Sequence, residues 1–467
     1  MRNYILETWE YAVNTSFKLS KIIPYIECFR FDWHLQLSLK RSAKLKIIAF
    51  FLNLFKFFNH LRYIIIYQLL RKQKKIPDAK YIFYVADNPS YLRAIVPVAE
   101  RLIYQKSEVL LFCPANHYKA LKRKLAPFLA DRLNIIEALN WDRNWVYRCF
   151  VILSSVIKSL LDAFRFMFQR VRGNVFLSTD IMNYGLSYYC YSKYWHDYFN
   201  QSTKYLLASN ELQYWEAAIF FACRNTLSIS ILLSHGRESE ISYPIFANKR
   251  FSWSDTDKKL FINDFEAKEK EIEAVGSPYF DELYNSAINR RYSTQINKKE
   301  YIKFFAQPYY VTSYISLQQY DKVLAWFYSL TAQINSKKFQ IKLHPYDNIQ
   351  YYNSKPEKIS ISNENIISSL ENCYILITVD SNSVFEASAF GIPSIQCIPQ
   401  EITAFCDYST SGLCLKATSE KELYNLCYKL INDPQYYSQI VRKSQNALNN
   451  YFSNLGNSLE IIMDKIK

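Results

Sequence analysis

Short apolar runs alternate with amphipathic segments along most of this chain, and that alternation constrains the fold more than any other feature. Between residues 77 and 280 the amphipathic segments predict helices, such as Tyr91–Tyr104 and Tyr214–Asn225. The apolar runs predict strands at Tyr81–Ala86, Val109–Cys113, Ile135–Leu139, Tyr205–Ala208, Ile229–Leu233 and Glu273–Val275. Strands separated by helices are typical of a parallel sheet with crossover helices on its faces.

The same alternation returns between residues 300 and 430. Strands are predicted at Tyr301–Phe305, Phe339–Leu343, Tyr374–Val379, Ser394–Ile398 and Leu413–Leu415. Helices are predicted at Leu317–Ile334, Asn365–Glu371, Ser383–Phe390 and Glu420–Ile431. We therefore expect an α/β protein with two Rossmann-like domains facing a central cleft, because open parallel sheets bind ligands at the carboxyl ends of their strands.

Composition sets the expected domain boundaries. Residues 1–76 are basic, aromatic and helical in pattern, and they form a predicted N-terminal helical extension. The first Rossmann-like domain is expected over 77–283 and the second over 300–433, joined by a polar linker at 284–299. A helical tail over 434–467 is expected to close the chain.

Positive charge is concentrated in the N-terminal part of the chain. Residues 1–200 carry 30 Lys and Arg against 14 Asp and Glu, whereas the remaining 267 residues carry 27 against 28. This asymmetry predicts an anionic partner, namely a membrane surface, a nucleic acid or an acidic substrate. Two basic, aromatic helical stretches, Ser42–Lys75 and Val151–Arg172, could lie in a bilayer interface. The alternative is that they pack on the domain behind them and expose their cations to water.

Several function classes are disfavoured by what the sequence lacks. With only 7 glycines the chain has neither a G-x-G-x-x-G sequence nor a Walker phosphate loop. Its 10 cysteines show no zinc spacing, lie mostly in apolar runs, and are predicted to be core residues in a reducing compartment. We expect no secretory signal and no membrane span.

The most informative segment, Tyr374–Gln396, reads as a strand, a polar turn and a short helix. The turn contains Asp380, Ser381, Asn382 and Ser383, and Glu386 lies one turn into the helix. Free N–H groups and small hydroxyls at such a turn can bind phosphate, and the carboxylate could bind a neighbouring sugar hydroxyl. The alternative is that Ser383 and Glu386 form a capping box that satisfies only the backbone.

Two histidines also follow predicted strands. The strand Phe339–Leu343 ends in His344-Pro345, and the proline stops the strand so that the imidazole can reach a ligand. The strand Ile229–Leu233 is followed by Ser234-His235-Gly236, where His235 could act as a general base. A further turn, Gly276-Ser277, ends the strand Glu273–Val275.

These segments, in this order, resemble a group of glycosyltransferases with the GT-B fold. The group includes capsule-polysaccharide transferases, CDP-glycerol glycerophosphotransferases and bacterial polysialyltransferases. The similar pieces are the His-Gly pair at 235–236, VGSPYFDEL at 275–283, IKLHP at 341–345 and DSNSVFEASAFGIPSI at 380–395. The resemblance covers residues 205–430, while the first 200 residues match no family we can name.

The resemblance implies a nucleotide-activated donor bound mainly by the second domain. His344 and Pro345, the turn Ser381-Asn382-Ser383, Glu386 and the turn Gly276-Ser277 would bind this donor, with Glu386 on the ribose. No cofactor and no metal ion are expected. The first domain would hold the acceptor. Ser234 stands where the group commonly has Gln, and Asn210-Glu211 stands where an Asp is frequent, which leaves the base open among His235, Glu211 and Glu238.

The sequence thus predicts an enzyme that transfers a sugar or a polyol phosphate to a surface polysaccharide or a lipid-linked acceptor. We expect it in the cytoplasm, on the anionic inner leaflet of the plasma membrane. The alternatives are a nucleotide-sugar epimerase on the same fold and a non-catalytic, membrane-associated assembly protein. Nucleic-acid binding is disfavoured, because the basic stretches contain no known nucleic-acid module.

Overall fold

The chain divides into two compact units in a computed structural model. The structure describes residues 11, 12, 14, 15, 18–23, 43–70, 78–138, 144–169, 174–210, 214–236, 246–265, 267–291, 299–307, 316–344, 347–400 and 407–466. The first unit comprises the described residues up to Pro278 together with 459–466, and the second unit comprises Tyr279–Ser458.

Seven parallel strands form the sheet of the first unit, counted over the described residues. They are β1 (Tyr81–Tyr84), β2 (Val109–Cys113), β3 (Leu133–Ile135), β4 (Tyr205–Ala208), β5 (Ile229–Leu233), β6 (Lys249–Ser252) and β7 (Ile272–Ala274). Their spatial order is β3-β2-β1-β4-β5-β6-β7. Ile82 pairs with Leu110 on one side and with Leu206 on the other. The central strands are buried apolar runs, as expected for a sheet covered on both faces.

The helices of the first unit cover both faces of this sheet and add a helical layer. They are α1 (Ala43–Ile65), α2 (Pro89–Tyr104), α3 (Ala115–Lys124), α4 (Pro127–Ala130), α5 (Trp145–Met167), α6 (Asn174–Phe199), α7 (Tyr214–Cys223) and α8 (Asp255–Phe265). A π-helical turn, Ile66–Leu70, continues α1. Helix α6 packs against α1, α5 and α7. Its Trp195 is fully buried in the core of the unit.

The second unit contains a parallel sheet of six strands within its described residues. They are β8 (Tyr301–Phe305), β9 (Lys338–Lys342), β10 (Ile359–Ser362), β11 (Cys373–Thr378), β12 (Ser394–Cys397) and β13 (Leu415–Ala417), in the order β10-β9-β8-β11-β12-β13. Its helices are α9 (Pro278–Arg291), α10 (Leu317–Gln333), α11 (Ile366–Glu371), α12 (Ser383–Ala389), α13 (Glu420–Asn432) and α14 (Pro434–Ala447). Helix α9 extends into the segment that the sequence marked as a linker.

The last helix, α15 (Ser458–Lys465), returns to the first unit. The Tyr81 hydroxyl donates a hydrogen bond to the Ile466 carbonyl over 3.1 Å. Arg101 forms an ion pair with Glu460 at 2.6 Å, and Lys465 forms another with Glu273. The last described residues therefore belong to the same unit as the first described ones.

The described strands confirm the predicted α/β class and correct some of its details. The predicted strand Ile135–Leu139 is wrong, because β3 ends at Ile135 and a 3-10 turn, Ile136–Ala138, follows. Strands β6 and β10 were not predicted. The eight described cysteines are free, and seven of them are buried, which matches their prediction as core residues. Among the helices that the structure describes, none combines the length and the apolar character needed to cross a membrane.

Candidate functional site

Each sheet reverses its strand order once, and the candidate residues lie close to those reversals. In the first unit the reversal falls between β1 and β4, and in the second unit it falls between β8 and β11. Open parallel sheets bind ligands outside the carboxyl ends of their strands at such a point. We call these two places the first switch edge and the second switch edge.

His235 lies at the first switch edge, two residues beyond β5. Its Nδ1 atom lies 2.5 Å from the backbone carbonyl oxygen of Ser209, directly after β4. A carbonyl only accepts hydrogen bonds, so Nδ1 carries the hydrogen and Nε2 holds the lone pair of the neutral ring. This is the tautomer that a general base at Nε2 requires. Of the other two predicted bases, Glu211 and Glu238 both lie outside the described residues.

Two polar side chains of the first switch edge support His235. The ring of Tyr91, on α2, stands edge-on to the imidazole with 4.5 Å between the ring centroids. The side-chain amide of Asn210 donates to the Tyr91 hydroxyl over 3.1 Å. The loops after β4 and β5 and the first turn of α2 are thereby joined, which restricts the orientation of the imidazole.

His117, on α3, is a further candidate that the sequence analysis missed. The backbone N–H of Asp87, beyond β1, donates to its Nδ1 atom over 3.3 Å, so His117 carries its hydrogen on Nε2 when neutral. Burial lowers the pKa of this imidazole. Asp87 also forms an ion pair with Lys124 at 2.6 Å. The sequence feature that could have indicated this residue is a histidine four residues after β2. It was missed because His235 and His344 each lie only two residues after a strand.

Glu137 places a buried carboxyl group just after β3, the outer strand of the first sheet. Its Oε2 atom accepts a hydrogen bond from the backbone N–H of Ala115, in the first turn of α3, over 2.9 Å. Burial raises the pKa of this carboxyl group to about 7. The carbonyl oxygen of Glu137 also accepts hydrogen bonds from Gln68 and Tyr191. A carboxyl group that titrates near neutrality therefore anchors the chain where β3 ends.

The Gly276-Ser277 turn follows β7, the strand at the far edge of the first sheet. Gly276 has φ +93°, which suits glycine, and its N–H donates to the Ser252 carbonyl over 3.3 Å. Strands β5 and β6 separate this turn from β4, a distance of about 14 Å between strand axes. The structure therefore does not bring the turn to the first switch edge.

The residues that follow this turn have structural contacts in the second unit. The Phe280 ring packs against Phe385 and Phe452, with centroids 6.1 and 4.2 Å away. The carboxylate of Asp281 accepts hydrogen bonds from the N–H of Gly456 and the hydroxyl of Ser458, at 2.7 and 2.8 Å. Part of the VGSPYFDEL segment thus stabilises the second unit.

His344 is half-buried two residues after β9. Burial lowers the pKa of its imidazole, and the neighbouring ammonium group of Lys342 acts in the same direction while the Asp347 carboxylate opposes it. The Asp347 N–H donates to the His344 carbonyl over 2.9 Å, and the Tyr352 hydroxyl donates to the Asp347 carboxylate over 2.8 Å. The turn is thus held in place, and a neutral imidazole and a cation lie together. Pro345 lies outside the described residues.

The turn after β11 differs from both interpretations that the sequence allowed. The capping box is absent among the described contacts, because Asn382 is the N-cap of α12 and no side chain caps it. Instead the Ser381 hydroxyl oxygen accepts hydrogen bonds from the N–H and the hydroxyl of Ser383, at 3.2 and 2.9 Å. The N–H groups of Val384 and Phe385 also donate within the turn. The turn thus uses these N–H groups within itself, and its two serine hydroxyls are bonded to each other on side chains that are only 7% and 5% exposed.

Aromatic packing anchors the turn. The Tyr408 hydroxyl donates to the Asn382 side chain over 2.6 Å, and its ring stands edge-on to Phe385. The amide of Gln396 joins the Val379 carbonyl to the Tyr408 N–H. Glu386, predicted to bind a ribose, is only 5% exposed on the same helix. The structure therefore fixes this turn rigidly.

His344 and the Ser381-Asn382-Ser383 turn lie on either side of β8. Strands β9 and β11 both pair with β8, so their axes are about 10 Å apart. The two groups could therefore hold one ligand from opposite sides of the second switch edge. Within the ranges that the structure covers, no set of three or more His, Cys, Asp or Glu side chains is placed to hold a metal ion.

Neither a protein-family model nor the sequence of a curated protein matches this chain. Its structure is similar to that of the UDP-GlcNAc 2-epimerase from Neisseria meningitidis bound to UDP-GlcNAc, with a TM-score of 0.52, 13% identity, and coverage of 83% of this chain and 98% of that one. The similarity to the MnaA–UDP complex of S. aureus has a TM-score of 0.50 and 13% identity, and it covers 83% of this chain and 96% of that one. The similarity to the UDP-GlcNAc 2-epimerase from Methanocaldococcus jannaschii has a TM-score of 0.50 and 11% identity, and it covers 82% of this chain and 99% of that one. This likeness, with the two parallel sheets, confirms an α/β fold of the GT-B type.

Proposed function

We propose that this chain is a glycosyltransferase that moves a sugar, or a polyol phosphate, from a nucleotide-activated donor to a surface polysaccharide or a lipid-linked acceptor. One observation carries the proposal: both switch edges present histidines whose hydrogen-bonded surroundings suit catalysis or phosphate binding. The fold likeness to a structure that contains UDP-GlcNAc supports a nucleotide-sugar ligand. The ordered motifs between residues 205 and 430 support transfer rather than another reaction on that ligand.

In this proposal the second unit binds the donor. His344 donates a hydrogen bond to the diphosphate and becomes charged as negative charge develops on the leaving group. Lys342 adds a fixed cation beside it, and the hydroxyls of Ser381 and Ser383 contact the phosphates from the other side of β8. Glu386 binds the ribose. These groups neutralise the diphosphate without a divalent ion, so a chelator leaves turnover unchanged.

In the first unit, Nε2 of His235 removes the proton from the acceptor hydroxyl. The hydrogen bond from its Nδ1–H to Ser209 holds the ring in the required tautomer and supports the imidazolium that forms. Glu211 and Glu238 remain the alternative bases in this proposal. Gly276 and Ser277 belong to the donor site through the motif resemblance alone. The enzyme acts at the cytoplasmic face of the cell envelope, in capsule or related polysaccharide synthesis.

A nucleotide-sugar 2-epimerase is the second candidate, and two observations favour it. Two of the solved structures described above are UDP-GlcNAc 2-epimerases that share the fold. His235 and His117 have opposite tautomers, so one offers a lone pair and the other an N–H donor at the first switch edge. Epimerisation needs such an acid and base pair. A third candidate, a non-catalytic assembly protein, binds no nucleotide.

One experiment separates these candidates. The chain is first screened against nucleotide sugars for thermal stabilisation, since a ligand at 100 times its Kd adds about 2.7 kcal/mol. Each stabilising compound is then incubated with the protein alone and with a lipid-linked or oligosaccharide acceptor. Release of nucleotide that depends on the acceptor supports the transferase. Conversion of the sugar without acceptor supports the epimerase, and the absence of any stabilising nucleotide contradicts both.

A further inference from the structure

Helix α5 buries several polar side chains and exposes a row of large apolar ones. Half of its buried side chains are polar and half are apolar: Ser155, Ser159, Asp162, Ile152, Ala163 and Phe166. The Asp162 carboxylate accepts hydrogen bonds from the Tyr189 hydroxyl, on α6, and from Arg165, at 2.6 and 2.9 Å. A helix on the surface of a protein in water normally turns its apolar side chains inward and its polar side chains outward. Here the inner side mixes polar and apolar side chains, and most of the large apolar side chains lie on the outside.

The outer face of α5 is a continuous apolar stripe. Its members recur every three or four residues and are each between 49% and 77% exposed: Val146, Phe150, Leu153, Ile157, Leu161, Phe164 and, directly after the helix, Phe168. On a helix this spacing places them on one side, opposite the buried polar residues. The stripe is about 33 Å long at 1.5 Å per residue.

Helix α1 and its π-helical turn repeat this arrangement. Asn53, His60 and Gln68 are buried on the inner side, beside the apolar Phe57 and Ile64. Burial lowers the pKa of His60 to about 3, which keeps its ring neutral. The exposed side chains on the outer side are Phe51, Leu52, Phe55, Phe58 and, in the turn, Leu70. The Asn183 amide of α6 donates to the Asn53 carbonyl over 3.4 Å. Both α1 and α5 therefore pack on α6 through polar contacts as well as through buried apolar side chains such as Phe57 and Phe166.

The two helices form one layer, which we call the α1–α5 face. The Arg148 guanidinium, near the start of α5, donates to the Gln68 carbonyl, at the end of α1, over 3.2 Å. Among the described residues, fourteen of the twenty exposed large hydrophobic side chains belong to these two helices and the residues directly after them. Exposed apolar residues scattered singly need no explanation, but a concentration on one layer marks an interaction surface.

The charges on this face select the partner. The exposed charged side chains are cations, namely Lys56 and Arg62 on α1 and Lys158 and Arg165 on α5. Asp162 is the acidic residue within α1, its turn and α5, and it is buried. A two-fold interface between copies of this chain would set cations against cations, which disfavours self-association. Aromatic and aliphatic side chains ringed by Lys and Arg are what an interfacial helix offers to anionic lipid.

We propose that the α1–α5 face docks the protein on an anionic lipid bilayer, with the apolar stripe of α5 and the outer side of α1 inserted into the headgroup region. The inference rests on the proposed function only for its purpose, which is access to a lipid-linked acceptor. The docking itself needs no nucleotide, no acceptor and no catalysis.

The test is sedimentation of the full chain with vesicles of phosphatidylcholine, with and without phosphatidylglycerol, in the absence of nucleotide sugar. The stripe variant carries Phe150→Gln, Ile157→Gln and Phe164→Gln. Because each change removes apolar surface from the bilayer, we expect the combined variant to bind at least about a hundredfold more weakly. The matched control carries Leu317→Gln, Ile349→Gln and Tyr428→Gln, which are equally exposed in the second unit, and should bind like the unchanged protein.

A charge variant tests the lipid preference separately. Lys56→Gln, Arg62→Gln and Lys158→Gln should each weaken binding to phosphatidylglycerol vesicles about fivefold, so about a hundredfold together. The proposal is overturned if the stripe variant binds the vesicles as tightly as the unchanged protein. It is also overturned if the unchanged protein does not bind vesicles and instead forms a dimer in solution that the stripe changes dissociate. These assays contain no donor and therefore test the docking alone. A protein that binds vesicles here but shows no turnover in the acceptor experiment would refute only the proposed function.

Discussion

The Nδ1–H group of His235 donates to the Ser209 carbonyl over 2.5 Å, so the end of β4 fixes the tautomer of an imidazole that follows β5. His235→Asn tests the role of that ring. An asparagine amide can replace the Nδ1–H donor but supplies no Nε2 lone pair. We expect kcat to fall about 10²- to 10⁴-fold, as for loss of a general base, with little change in KM or melting temperature.

Tyr91→Phe is the matched control for this prediction. It keeps the ring that stands edge-on to His235 and removes only the hydroxyl that accepts from Asn210. Its effect on kcat should be less than tenfold, because the imidazole and its hydrogen bond to Ser209 remain. If His235→Asn retained full turnover, the base would have to be sought at Glu211 or Glu238.

Glu137 should make the stability of the first unit depend on pH. Its folded pKa of about 7 lies above the ordinary value of 4.5, so the folded state binds more protons than the unfolded state between these values. The contribution is fully present below about pH 4.5 and is lost as the pH rises through about 7. The loss is about 3 kcal/mol.

Glu137→Gln removes this titration and keeps an acceptor for the Ala115 N–H. We expect the variant to be more stable than the unchanged protein at pH 8 and about equal to it at pH 4.5, measured as the free energy of unfolding in urea. Glu357→Gln, at an exposed position, is the control and should show no such difference. If the free energy of unfolding depended on pH in the same way in Glu137→Gln and in the unchanged protein, the Glu137 carboxyl group would already be ionised at pH 5.

Phe385 should stabilise the second unit and also hold the turn Ser381-Asn382-Ser383 in place. Its ring is fully buried and stands edge-on to Tyr408 and Phe452 at 5.3 and 5.5 Å. Phe385→Ala should lower the free energy of unfolding by 3–5 kcal/mol through the lost burial and the cavity left behind. Tyr428→Ala, which is exposed on α13, should change it by less than about 0.5 kcal/mol.

The Phe385→Ala variant should also bind the nucleotide sugar more weakly. The turn Ser381-Asn382-Ser383 precedes α12 and is held through Tyr408, so a loosened helix misplaces its hydroxyls. We expect a weaker Kd for the stabilising nucleotide sugar at a temperature where the variant is still folded. Equal affinity in the two proteins would show that the turn does not contribute to the donor site.

The sequence predicted most strands because their residues are buried on both faces. The predicted bounds of β2, β4, β5 and β8 match the structure, and each is a run of largely apolar residues. Strand β6, KRFS, was missed because its polar residues are satisfied by tertiary contacts, such as the ion pair of Lys249 with Glu273. Strand β10, ISIS, was missed because an edge strand needs only alternate apolar residues.

Parts of the candidate site also follow from sequence, and others depend on long-range contacts. His235 and His344 were identified because each directly follows an apolar run. The tautomer of His235 was not predictable, because its partner Ser209 lies 26 residues away. The capping box at Ser383 was a local expectation that failed when Ser381 supplied the acceptor instead. His117 lies near the first switch edge through its contact with Asp87, and Glu137 is buried beyond β3 through its contact with Ala115. Local patterns encode neither contact.

His344 carries the central claim, that the second switch edge binds a nucleoside diphosphate. Burial lowers the pKa of His344 in the free protein, and a bound phosphate would raise it. The ring then takes up a proton on binding, so affinity is highest at low pH and falls as the pH rises through the pKa of the bound ring. His344→Gln keeps a hydrogen-bond donor but cannot become charged.

The most direct test is isothermal titration calorimetry with UDP, or with the nucleotide that gives the largest stabilisation, in two buffers of different ionisation enthalpy. The account predicts proton uptake by the unchanged protein, no uptake by His344→Gln, and an affinity about 10- to 150-fold weaker in that variant through loss of a charged hydrogen bond. Equal affinity and equal proton uptake in both proteins, or no binding of any nucleoside diphosphate, would contradict it.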